Sequence, residues 1–149
     1  MVREAIKQGI KPVVAGRIAE KLLPIANELG LEYRAFSVKD AAGYLQDVTV
    51  LLNCAGPFSA TAEALAKACL SQKVHYLDIT GEIDVSRKCY ALDDEAKSRN
   101  VIVMPGVGTD IVPTDCLAAM LKERLPAATR IDLAFSFGTS PSIGTVKTS

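Results

Sequence analysis

Apolar positions along this chain alternate between two spacings. Val2, Ala5 and Ile6 stand at i, i+3 and i+4 with Gly9 in the C-cap place, which predicts the end of an amphipathic helix. "KPVVAG" follows as a short continuous apolar run, the pattern of a strand buried on both faces. Residues 19–29 return to the helical period, with Gly30 as the stop. "EYRAFSV" alternates and predicts a strand nearer an edge, and Asp40 is placed to cap a short helix through about Gln46. "VTVLLNCAG" is expected to be the most strongly buried strand of the chain. A helix over "AEALAKACLSQ", begun by Ser59 or Thr61, leads to the strand "VHYLDI". A longer helix over 84–99, the strand "VIVMPG", and a helix over "TDCLAAMLKERL" after a Gly/Pro loop complete the series. Strand and helix in alternation predict an α/β fold, a mostly parallel sheet covered on both faces.

The last segment breaks this rhythm. "TRIDLAFSFG" alternates strictly, with Ile131, Leu133, Phe135 and Phe137 on one face and Asp132, Ala134 and Ser136 on the other. It is expected as a half-buried strand of a different, antiparallel sheet. The predicted division is therefore a first domain over 1–126 and the beginning of a second over 127–149. "GTSPSIGTVKTS" reads as loop, and there is neither an internal repeat nor a low-complexity stretch.

Composition narrows the function classes. The 149 residues are 49% hydrophobic and 23% charged, enough for one good core. Seventeen basic and seventeen acidic residues cancel, so the chain lacks the electrostatic footprint of a nucleic-acid binder. No apolar run approaches the roughly 20 residues of a membrane-spanning helix, and the N-terminus has no signal-peptide core. A cytoplasmic protein is expected. Cys54, Cys69, Cys89 and Cys116 are unevenly spaced, without a C-x-x-C or a Cys/His cluster, and read as reduced thiols rather than metal ligands.

Arg17 ends the first apolar run, just before a helix. In a doubly wound sheet ligands sit outside the carboxyl ends of the strands, and the residue ending the second strand meets the adenosine ribose. An acid there bonds the 2′-hydroxyl of NAD, whereas an arginine holds the 2′-phosphate of NADP through charge-assisted bonds. "VVAGR" supplies the arginine and no acid, with Ala15 and Gly16 small enough for close approach. A methyltransferase, which usually wants an acid at this position, fits less well. The bland alternative is a solvated arginine at a helix start. The G-x-G-x-x-G loop of such domains belongs ahead of the first helix, and no such loop precedes Arg17. Without the central first strand, "PVVAG" and "VTVLLN" would both carry unpaired buried backbone groups. The expectation is a native product that starts upstream.

Three further stretches fall at successive strand ends on the ligand-binding edge. "LLNCAGPFS" ends in a small-residue loop with Gly56 permitting close approach and Asn53 and Ser59 adding polar groups. "HYLDITGE" presents Asp78, Thr80 and Glu82, and "MPGVGTDIVPTD" supplies a Gly-rich turn. Singly, each is as well explained as a structural turn. In combination, "VVAGR", "NCAGPF", "HYLDITGE" and "PGVGTDIVPTD" resemble the NADP-binding domain of the saccharopine dehydrogenase-like oxidoreductases, which include the trans-acting enoyl reductases. "SIGTV" also resembles the Gly-Thr loop of that family's second domain.

The resemblance implies a Rossmann-like doubly wound parallel sheet, here lacking its first strand and Gly-rich loop, plus the start of an α+β second domain. It further implies NADPH as hydride donor, a small-molecule substrate and a homodimer. Carried over by position, Arg17 corresponds to the arginine that meets the adenosine phosphate, beside Ala15 and Gly16, which let the adenosine approach. Asn53, Cys54, Ala55, Gly56, Pro57 and Phe58 lie along the cofactor, with Thr80 and Gly81 near the nicotinamide and substrate. Three departures stand out: the missing "GATGYTG"-like loop, Ile18 where a polar capping residue is usual, and Thr109 where an aromatic is usual.

Hydride transfer to a carbonyl, imine or alkene leaves the protein to orient the nicotinamide and handle one proton. Asp78 and Glu82 are the candidate acid/base groups, flanked by His75 and Tyr76. His75 at a strand start reads more readily as structural, Asp78 equally well as a turn cap, and Cys54 as inert in an apolar loop. Two other classes stay open: a non-catalytic NADP sensor, and an interaction fragment that binds no nucleotide.

Overall fold

A computed structural model describes residues 1–109 and 111–134. They fall into two compact units, divided between Val48 and Thr49; most of the segment expected to begin a second domain, 127–149, lies outside the described residues.

In the first unit, α1 (Val2–Lys7), β1 (Val14–Gly16), α2 (Ala19–Leu29), β2 (Tyr33–Ala35) and a 3-10 helix (Val38–Tyr44) follow in order. β1 and β2 pair in parallel, Val14 with Tyr33 and Gly16 with Ala35, and α2 makes the crossover that parallel strands require. Gly9 and Gly30 take the left-handed conformation that ends α1 and α2, as their sequence positions suggested. Arg3 ties α1 to α2 through Glu28 at 2.7 Å. The expected cap of the next segment is corrected. Ser37, in extended conformation, accepts from the Lys39 N–H at 3.4 Å, while Asp40 lies inside the turn. Ala41 and Leu45 are buried there, and Arg34 closes the far end by donating to the carbonyls of Tyr44 and Gln46 at 2.6 and 3.0 Å.

In the second unit, β3 (Val50–Asn53), β4 (His75–Asp78) and β5 (Val103–Met104) form a parallel sheet in that order. Between them run α3 (Phe58–Gln72), α4 (Ile83–Tyr90) and α5 (Asp93–Arg99), and α6 (Val112–Arg124) follows β5. The register sets Leu51 beside Tyr76, Asn53 beside Asp78, and Tyr76 beside Val103. The period of two puts all five on one face. α3, α4 and α5 contribute the core of this unit: Leu65, Ala66, Cys69, Leu70, Val85, Cys89 and Ala96 are buried. Leu70, Ala96 and Val101 form one cluster joined by Leu92 and Val103. The fully buried Leu70 contributes about 1.5–3 kcal/mol there.

Three expectations are corrected. β3 is not the most buried strand: it ends the order β3-β4-β5, and Val50 and Leu52, on the face away from Tyr76, are 45% and 44% exposed. The single helix expected over 84–99 is two helices. The run Asp93, Asp94 and Glu95 starts a fresh first turn, where acidic side chains favour the positive end of the helix dipole. α3 starts at Phe58, ahead of Ser59 and Thr61. Residues 130–134 form no strand, and the rest of the alternating segment lies outside the described residues.

Candidate functional site

The loop from Asn53 to Phe58 is shaped by its own polar residues. Asn53 is buried, and its Oδ1 accepts from the Ala55 N–H at 3.0 Å, an Asx turn that bends the chain as it leaves β3. Its Nδ2 donates to Thr61 Oγ1 at 3.2 Å and to Tyr76 Oη at 3.1 Å, and Thr61 in turn donates to the Ala55 carbonyl at 2.7 Å. Asn53 thus holds both ends of the bend. Cys54, Ala55, Gly56 and Pro57 are exposed, and the Gly56–Pro57 peptide is cis. A Cβ on Gly56 would touch only Phe58, at 3.8 Å, so internal packing does not demand a glycine here. Burial pushes the Cys54 thiol up, which keeps it protonated and weakly nucleophilic.

Asp78 ends β4 fully buried. Its Oδ2 accepts from the Tyr76 hydroxyl at 2.8 Å, and its Oδ1 accepts from the N–H groups of Thr80 and Gly106, each at 2.9 Å. The Asp78 carbonyl accepts from the Val107 N–H at 2.8 Å, so side chain and main chain both pin the turn after β5 to the end of β4. Gly106 has φ +73, and a Cβ there would lie 3.4 Å from the Thr80 carbonyl oxygen. This is a backbone approach that glycine allows. Burial, foremost, drives the Tyr76 phenol far above its ordinary range, with the Asp78 charge adding to the shift against the Asn53 hydrogen bond. Tyr76 is therefore a hydrogen-bond donor to Asp78 throughout the ordinary pH range.

Glu82 is held by the same turn, its N–H donating to Thr80 Oγ1 at 3.0 Å. Its carboxylate reaches the start of α3, where Oε1 accepts from the Phe58 N–H at 2.8 Å and Oε2 from the Ser59 N–H at 3.1 Å. α3 needs this partner: Pro57 is its N-cap, without a side-chain hydrogen bond, and no acid stands in its first turn. Of the two residues expected as acid/base groups, Asp78 is fully buried and Glu82 half-buried. Both carboxylates are committed to internal donors. His75 is structural in the same sense, its Nδ1 accepting from the Ile102 N–H at 3.0 Å.

In the first unit, Arg17 directly follows β1, exposed and without a hydrogen-bond or ion-pair partner among the described residues. Arg34 on β2 differs, bound to Glu32 at 2.8 Å as well as to two carbonyls. Ala15 is exposed, but the small size of Gly16 serves packing: a Cβ there would come within 3.2 Å of Leu22 Cδ2 on α2. Of the remaining candidates, Thr80 is buried in the Asp78 turn and Gly81 is exposed beside it. Three residues of this arrangement escaped sequence reasoning: Tyr76 as the hydroxyl between Asn53 and Asp78, Thr61 as the loop clamp, and Gly106 as a donor. A polar Asn53 and Asp78 ending two apolar strands was the available signal. Among the described residues no group of His, Cys, Asp and Glu could hold a metal ion, and no helix is long and apolar enough to cross a membrane.

Comparison with known proteins sets this geometry in a family. A saccharopine dehydrogenase-like oxidoreductase of Bos taurus is 26% identical over 117 residues, covering 68% of this chain and 27% of the relative. The Homo sapiens protein of the same name is 27% identical over 116 residues, covering 76% of this chain and 24% of its own length. A lipid droplet localized protein of Caenorhabditis elegans is 27% identical over 131 residues, covering 78% and 30%. The chain therefore spans about a quarter of the length of the first two relatives. Among solved structures, apo saccharopine dehydrogenase (L-Glu forming) from Saccharomyces cerevisiae superposes with a TM-score of 0.67 at 19% identity, over 80% of this chain and 26% of that one. That likeness shows the Rossmann-like fold. The family model of the saccharopine dehydrogenase NADP binding domain matches residues 3–104, from α1 through β5. By that match the chain belongs to the saccharopine dehydrogenase NADP binding domain family, and its cofactor is NADP(H).

Proposed function

We propose that the chain serves as the cofactor domain of an NADP(H)-dependent oxidoreductase of the saccharopine dehydrogenase-like type, reducing a carbonyl, imine or enoyl group of a small molecule. The observation that carries the reading is Arg17, an exposed and unpartnered guanidinium at the carboxyl end of a parallel strand, with no acid beside it in "VVAGR". A 2′-phosphate offers it a charge-assisted and bidentate partner, whereas a 2′-hydroxyl offers only a weak one. Ala15 lies open next to it in the same unit. When bound, the cofactor supplies a hydride, two electrons with one proton nucleus, to the electrophilic carbon of the substrate.

Asp78 and Glu82 keep the strand-end loops in shape in this reading, and the balancing proton comes from another group or from water. The names of the relatives support the reaction class. A titration of the chain with NADPH and NADH in parallel, followed by nicotinamide fluorescence, tests it. NADPH is expected to bind at least about tenfold more tightly, since one charge-assisted pair is worth roughly 1.5–3 kcal/mol. Arg17→Ala is expected to bring NADPH down to the level of NADH. Equal affinities in the unsubstituted chain would remove Arg17 from the site.

A further inference from the structure

The start of α3 depends on a residue that lies outside it. Phe58 and Ser59 carry the first amide donors of the helix, and they adjoin the exposed Ala55, Gly56 and Pro57. Nothing within α3 satisfies them: the N-cap is Pro57, and the first turn contains no acid. Glu82, 24 residues further along the chain from Phe58, takes both amides, one on each carboxylate oxygen, at 2.8 and 3.1 Å. Glu82 is itself anchored, because its N–H donates to Thr80 Oγ1 and the Thr80 N–H donates to the buried Asp78. Asp78 in turn holds the turn at Gly106. One continuous set of hydrogen bonds therefore runs from the turn after β5, through the end of β4, to the first turn of α3.

We propose that Glu82 is a positioning residue for cofactor binding. By fixing the first turn of α3 it sets the shape of the loop over 53–58, whose other end Asn53 and Thr61 hold. The inference rests on the reading that this loop lies along NADP(H). It also has a consequence for charge. The two amides that would otherwise attract an anion to this helix start are already occupied by a carboxylate, so no phosphate of the cofactor takes the first turn of α3.

The test uses the whole chain, unsubstituted and as Glu82→Ala and Glu82→Gln. NADPH is titrated by nicotinamide fluorescence, the melting temperature is measured alongside, and the amide resonances of Phe58 and Ser59 are followed. Glu82→Ala is expected to raise the NADPH dissociation constant about tenfold, the scale of one lost charge-assisted hydrogen bond. Glu82→Gln, which keeps one acceptor oxygen, is expected to raise it about threefold. Acetate added to folded Glu82→Ala is expected to restore part of the affinity by occupying the vacated amides, an effect that a general loss of stability would not show. If the alanine variant does not fold, the glutamine variant carries the comparison. Unchanged NADPH affinity in a folded variant whose Phe58 and Ser59 resonances have moved would overturn the inference while leaving the cofactor reading intact. Failure of the unsubstituted chain to bind NADPH would overturn that reading and, with it, the role of Glu82.

Discussion

The Tyr76 hydroxyl donates to Asp78 Oδ2 across 2.8 Å, between two residues that share one face of β4 and are both fully buried. The same hydroxyl accepts from Asn53 at 3.1 Å, so it joins the ends of two neighbouring strands. Tyr76→Phe removes it while preserving the ring. Asp78 then loses a donor, and one N–H of Asn53 loses its acceptor, both away from water. The expected loss is about 2–3 kcal/mol, because hydrogen bonds to buried charges are the costly ones to break. Urea unfolding of the variant checks this, and a loss below about 0.5 kcal/mol would show that the network contributes little.

Lys73 takes the left-handed conformation, φ 57, immediately after α3, with the amides of the cap bonded to the carbonyls of Cys69 and Leu70. A lysine pays for its Cβ at this position, whereas glycine does not. Lys73 is exposed, and its side chain has no ion pair or hydrogen bond among the described residues to lose in the exchange. Lys73→Gly is expected to stabilise the chain by about 0.5–1 kcal/mol, read as a higher urea midpoint at unchanged slope. The corresponding Asn100, φ 56 after α5, already carries a side chain that tolerates this region.

Two buried thiols predict alkaline sensitivity. Burial pushes Cys69 from 9.0 up to about 12, and burial, with the charges of Asp78 and Glu63, pushes Cys89 up to about 11. The folded chain therefore keeps protons that the unfolded chain releases above pH 9.0. Stability is fully present below that pH and falls as the pH rises toward the folded values, by about 1.4 kcal/mol per pH unit for each thiol. Urea midpoints between pH 8 and pH 11 measure the slope, which Cys69→Ala is expected to reduce. At pH 8 a thiol reagent is expected to label the exposed Cys116 of the native chain first and Cys54, whose thiol burial pushes up, more slowly, and to spare Cys69 and Cys89. Labelling of all four before unfolding would contradict the burial.

The order of elements was legible because it is written in local chemistry. The periodic apolar positions of α2, with Gly30 behind them, mark a helix wherever it lies, and the structure ends α2 at Leu29 as expected. The "NCAGPF" and "HYLDITGE" stretches fall at strand ends for the same reason, since small and polar residues interrupt an apolar run. The exposure of β3 was not legible: a run such as "VTVLLN" reads alike at the middle of a sheet and at its edge, and only neighbours distinguish the two. The cap of α3 misled in a related way, because Ser59 and Thr61 are ordinary local caps and the carboxylate that actually arrives is Glu82.

By itself, then, the sequence determined the alternation of strands and helices, the strand-end loops and the cation at Arg17. Each depends on a residue and its immediate neighbours. Only the tertiary structure decided what the carboxylates do. Asp78 reaches Gly106 across 28 residues and Glu82 reaches Phe58 across 24, contacts that exist only once β3, β4 and β5 lie in parallel register. A carboxylate withdrawn from water takes its partners from the donors that surround it, and strand pairing, not sequence proximity, brings those donors to the buried Asp78 and the half-buried Glu82.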